Sequence, residues 1–167
     1  GANSSGCRTC RPVHRSWSAA RHCWVDALSV QFCVLAIGGV DPLFKVDAQT
    51  GEKTLLDDNT GRANGIAFGP DGRLYGCARG ASTIYAWDPL TWGKVPVTRG
   101  PASNDIAILD DGTIFFSDPA ERAVWCVYLV SGELSKVLDT GWAPNGMSLS
   151  LDQRTLLVAE FNSSRIH

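Results

Sequence analysis

The 167-residue sequence predicts an all-β chain, a partial β-propeller built from four-stranded blades of about 40 residues. Three observations predict it. Asn64, Asn104 and Asn145 recur 40 and 41 residues apart, each at the head of a short apolar run. Asp71, Asp111 and Asp152 keep the same intervals, each in the turn that follows. Aromatic residues of a third run, Phe44, Tyr85 and Trp125, repeat at 41 and 40. Self-similarity at this period is the mark of a repeat architecture.

The elements follow in chain order. Residues 1–22 read as a polar, Arg/Ser-rich leader, disordered or foreign to the repeat. Within it, "CRTC" with His14 and His22 lacks the second ligand pair of a zinc knuckle, so no zinc site is expected there. The run "CWVDALSVQFCVLAIGGV" (Cys23–Val40) is the most apolar in the chain. Asp26 and Gln31 interrupt it, no clean cleavage site follows, and its β-branched residues favour two buried strands over a signal peptide. No uninterrupted apolar span is long enough for a membrane helix.

Residues 23–167 read as the propeller portion. Each unit has an Asn-led strand, a Pro/Asp/Gly turn, a second strand, an aromatic third strand and an outer segment: "KTLLDD", "KVPVTR" or "SKVLDT". The regular units cover residues 42–167 and amount to three, fewer than the four to eight or so that close a propeller, which predicts part of one. Open blade edges then predict self-association.

Charge narrows the function. The four arginines of residues 1–25 have no acidic neighbour, whereas the rest of the chain holds 11 basic and 17 acidic residues and carries −6. Such a body disfavours nucleic acid and suits a cation. The six cysteines do not follow the repeat; Cys77 and Cys126 sit in strand-like runs as small buried hydrophobes. Unpatterned free thiols lean towards a cytoplasmic setting. The histidines, His14, His22 and His167, all lie outside the repeated body, so a Ser-His-Asp or Cys-His scheme lacks its base there.

One constellation can carry chemistry. Asn104 and Asp118 lie equally far from the turn between them, as do Asn145 and Glu160, so each pair shares one end of its hairpin. Oxygen-bearing side chains at the same end of successive inner strands converge on a propeller axis, an arrangement suited to calcium. The unit of Asn64 offers an amide only, because Ala78 stands where Asp118 would. The competing reading is that Asn and Asp near turns bond nearby backbone, and it is favoured for Asp71, Asp110 and Asp111. Trp87, Trp92, Trp125 and Trp142 are expected to pack between blades.

"SNDIAILDDGTIFFSDP" and "PNGMSLSLDQRTLLVAE", one blade apart, resemble the regucalcin/gluconolactonase-type six-bladed propellers over residues 41–167. The resemblance implies a divalent-metal-dependent lactonase, a gluconolactonase-like hydrolase acting on a lactone or sugar lactone. It implies calcium as the metal, with another divalent ion such as zinc as the substitute. It implies Asn145 and Asn104 at the metal, with Asp105 and Asp118 as supporting residues of the catalytic channel mouth. The family's first-blade Glu has no counterpart in residues 1–40, its ligand Asp would fall beyond His167, and Ala102 stands where some members carry a substrate-binding arginine. The set is therefore incomplete as given. The rival function is a non-catalytic propeller binding protein or carbohydrate.

Overall fold

Short strands with turn residues at both ends pair with their immediate neighbours, so each tandem unit becomes one antiparallel sheet. The computed structural model describes residues 19–26, 29–37 and 40–167. Blade 1 is β1 (Ala19–Asp26), β2 (Ser29–Ile37), β3 (Leu43–Asp47) and β4 (Lys53–Asp57). Blade 2 is β5 (Ala63–Phe68), β6 (Leu74–Ala78), β7 (Thr83–Trp87) and β8 (Lys94–Arg99). Blade 3 is β9 (Ile106–Ile108), β10 (Thr113–Asp118), β11 (Ala123–Tyr128) and β12 (Leu134–Asp139). A fourth sheet pairs β13 (Pro144–Leu149) with β14 (Leu156–Glu160), and Ile166 bridges back to Ala159.

Among the described residues the partial propeller is thus three four-stranded blades and a two-stranded hairpin. The apolar run after residue 22 does form two strands, and with β3 and β4 they complete the first blade. β1 begins at Ala19, within the stretch read as leader; residues 1–18, with "CRTC" and His14, lie outside the described residues.

The core sits between blades. Val34, Ala36 and Leu43 of blade 1 meet Ala63, Ile66, Leu74 and Trp87 of blade 2. Ala67, Tyr75, Cys77, Ile84 and Ala86 of blade 2 meet Ile106, Ile114, Phe116 and Val127 of blade 3. Successive strand residues face opposite sides, so β6 sends Leu74 to one neighbour and Tyr75 and Cys77 to the other. That is why "LYGCA" reads as a continuous apolar run and is buried throughout. Trp87 packs between blades as expected, and its indole N–H donates to Asp57 Oδ2 of blade 1 at 2.8 Å. Lys94 Nζ meets the same oxygen at 2.7 Å. Trp92 and Trp125 pack against the two core clusters, whereas Trp142 stacks on His167.

The turn aspartates do turn chemistry. Asp71, Asp111 and Asp152 each accept the backbone N–H two residues on, at 3.1, 2.8 and 3.2 Å. The residue after each has positive φ: Gly72, Gly112 and, in the fourth sheet, Gln153.

The innermost strands β1, β5, β9 and β13 lie side by side in that order. The strand-head asparagines therefore come from adjacent strands.

Candidate functional site

The register slips by one residue where each asparagine stands. Ala63 pairs with Ala78, but Ile66 pairs with Gly76. Pro144 pairs with Glu160, but Met147 pairs with Val158. In blade 3 both Asn104 N–H and Asp105 C=O bond Ser117, at 2.8 and 3.0 Å. In each case two residues stand opposite one, which is a β-bulge, a device that re-aims side chains at a strand end.

The bulges bring the three amides into a row. Asn64 Nδ2 donates to Asn104 Oδ1 at 2.6 Å, and Asn104 Nδ2 donates to Asn145 Oδ1 at 2.8 Å. Asn104, in the middle, is buried; Asn64 and Asn145 are half-buried. Each bond joins two blades, so the row runs across three sheets at one end of the inner strands.

Asp105 belongs to the same cluster. Its Oδ2 accepts the Met147 N–H at 2.7 Å, from the strand that carries Asn145. Its other side abuts Gly65: a Cβ there would lie 2.2 Å from Asp105 Oδ1 and 2.5 Å from its Cα. Gly65 N–H also donates to Asn104 C=O at 2.8 Å. Glycine at 65 is therefore demanded by the approach of the next blade.

Asp118 shares the end of the sheet with Asn104, as the equal spacing predicts, but its carboxylate is committed to the backbone. Oδ1 accepts Ala120 and Glu121 N–H at 2.9 and 3.1 Å, and Oδ2 accepts Ala102 N–H at 3.0 Å. It is fully buried and anchors the chain entering Asn104 to the turn leaving β10. Glu160 stands beside Pro144 and meets His167 Nε2 at 3.2 Å. The His167 hydrogen bond holds the Glu160 carboxyl below its ordinary range. Burial pushes the Cys77 thiol far up, so it stays protonated.

The sequence located Asn104, Asn145 and Asp105, which the structure brings together. It did not reveal the amide row, the bulges or Ser117. Ser117 is fully buried opposite the blade 3 bulge; its Oγ accepts Asp105 N–H at 3.1 Å and donates to Asn145 C=O at 2.7 Å. The available signal was that Cys77, Ser117 and Ala159 share one place in successive units.

The donors suit a hard cation in kind. Amide oxygens are calcium ligands, and Asn104 and Asn145 Oδ1 each keep a lone pair beyond the bond they accept. They are neutral, however, and among the described residues no group of three or more His, Cys, Asp or Glu is placed to hold a metal. The residues present thus fit part of a calcium shell.

Solved structures share this fold. A gluconolactonase from Xanthomonas campestris superposes with a TM-score of 0.72 at 23% identity, over 81% of this chain and 52% of its own. Virginiamycin B lyase from Staphylococcus aureus gives 0.65 at 13%, over 89% of this chain and 52% of its own. A chain of a nidogen/laminin complex gives 0.70 at 14%, over 85% and 55%. The chain spans about half the length of each. No protein-family model matches it, and no curated protein does. The class that the fold defines is a β-propeller of the architecture that gluconolactonases use.

Proposed function

We propose that the chain is part of a calcium-dependent, gluconolactonase-like hydrolase acting on a lactone. The observation that carries this reading is the row Asn64–Asn104–Asn145, three amides from adjacent inner strands meeting at one end of the blades. Asn104 and Asn145 would hold the cation, with carboxylates from elsewhere in the whole protein completing its charge. A divalent cation bound there supplies a Lewis acid for the ester carbonyl. Asp105 holds the strand of Asn145 against blade 3 through the Met147 amide, and Asp118 fixes the chain that enters Asn104.

The test is lactone hydrolysis by the whole protein, followed as acid release with and without calcium. Turnover that chelator abolishes and calcium restores supports the reading; turnover indifferent to both removes it. The second reading is a binding propeller, favoured by the likeness to a chain of a nidogen/laminin complex. It expects no lactone turnover and no calcium-linked rise in melting temperature.

A further inference from the structure

Two equivalent junctions in this fold are tied differently, and the difference falls between the two asparagines assigned to the cation. At the junction of blades 2 and 3, the Gly65 N–H bonds directly to Asn104 C=O at 2.8 Å. One unit on, Asp105 takes the place of Gly65 and Asn145 that of Asn104. The direct bond is there replaced by two bonds in series, Asp105 N–H to Ser117 Oγ (3.1 Å) and Ser117 O–H to Asn145 C=O (2.7 Å). Cys77 stands at the corresponding place of the first junction.

A second observation agrees. At the first junction no Cβ fits, because Gly65 abuts Asp105 Cα; at the second, the equivalent residue carries a whole carboxylate, reaching Met147 N–H. The second junction is therefore the wider one, and a hydroxyl fills the added width. The Ser117 hydroxyl donates on one side of this gap and accepts on the other, so the two bonds in series fix the gap's size.

We propose that Ser117 is a positioning residue: its hydroxyl is a spacer between blade 3 and the next sheet that sets the distance between Asn104 and Asn145. Without it, Asp105 N–H loses the Ser117 hydroxyl as its acceptor, or the sheets close to the direct bond of the first junction. Either outcome moves the two amides relative to each other. The consequence for cation affinity rests on the function proposed above; the spacer itself does not.

The test uses the 167-residue chain with Ser117→Ala, Ser117→Thr and Ser117→Cys, each checked for folding by thermal melt. The readout is the side-chain amide NMR signals of Asn104 and Asn145, with calcium chloride as titrant. Ser117→Ala and Ser117→Cys are expected to shift both signals, and Ser117→Thr, which keeps the hydroxyl, to retain them. Where the wild type binds calcium, Ser117→Ala is expected to weaken it by about 10-fold or more, as loss of a residue supporting the ligands does. Signals of Ser117→Ala superimposing on wild type overturn the proposal. If that variant does not fold, Ser117→Cys superimposing on wild type overturns it equally. The amide signals decide the spacer whether or not the 167-residue chain binds calcium, because the proposed calcium shell is completed by carboxylates from elsewhere. The hydrolase reading is tested separately by lactone turnover.

Discussion

Asn104 donates its side-chain Nδ2–H to the side-chain Oδ1 of Asn145 at 2.8 Å, across two sheets and 41 residues of chain. The bond exists because each residue occupies a bulge at the same end of neighbouring inner strands. It consumes one lone pair of an oxygen proposed to bind calcium and leaves the other. It also orients that oxygen.

On the function proposed above, calcium should stabilise the folded whole protein. A cation that binds only the native state, present at about 100 times its dissociation constant, adds about 2.7 kcal/mol. Differential scanning calorimetry should show a higher melting temperature with calcium. Asn145→Ala should lose most of that rise and, at low calcium, the lactonase turnover.

Gly65→Ala should be severe. The added methyl would meet the Cα of Asp105, which is backbone and cannot swing aside. A cost of about 2–3 kcal/mol is expected from such overpacking. Gly132→Ala is the control: φ is +70° but nothing lies within 4 Å, so strain alone should cost about 1 kcal/mol. Urea denaturation midpoints would rank the two.

Asp57 should make the tie between blades 1 and 2 sensitive to acid. Burial pushes its carboxyl up, but hydrogen bonds from Lys94, Trp87 and the Asn59 amide outweigh this and hold it below its ordinary value. A carboxyl depressed on folding stabilises above the unfolded value, about 3.9, and that contribution is lost as pH falls through the folded value. Asp57→Asn should therefore shrink the fall in melting temperature between pH 6 and pH 3. Asp47, Asp71, Asp88, Asp111 and Asp152 are also depressed, so a residual slope remains.

Cys77 and Cys126 should resist alkylation in the native protein. Both are buried, and burial pushes both thiols up, so little thiolate forms. Peptide mapping after iodoacetamide should find them unmodified until denaturant is added. Labelling of Cys77 in the native state would mean that blades 2 and 3 separate readily.

The sequence by itself determined the strands of the regular units, the blade period and the shared end of Asn104, Asn145, Asp118 and Glu160, because hairpin geometry is local and spacing from a turn fixes height along a sheet. Only the tertiary structure decided what those residues touch. Asp118 reads from its spacing as an oxygen-bearing residue at a strand end, and Asp105 enters only through the family resemblance. Asp118 folds back onto Ala102, Ala120 and Glu121, while Asp105 crosses to Met147 in the next sheet. Ser117 looked like an ordinary strand residue, and its role depends on bonds to two other segments. A one-residue bulge leaves no distinctive residue type at its place. The contact between blades depends on how closely two inner strands approach, a distance set by packing across the gap and not by either strand alone.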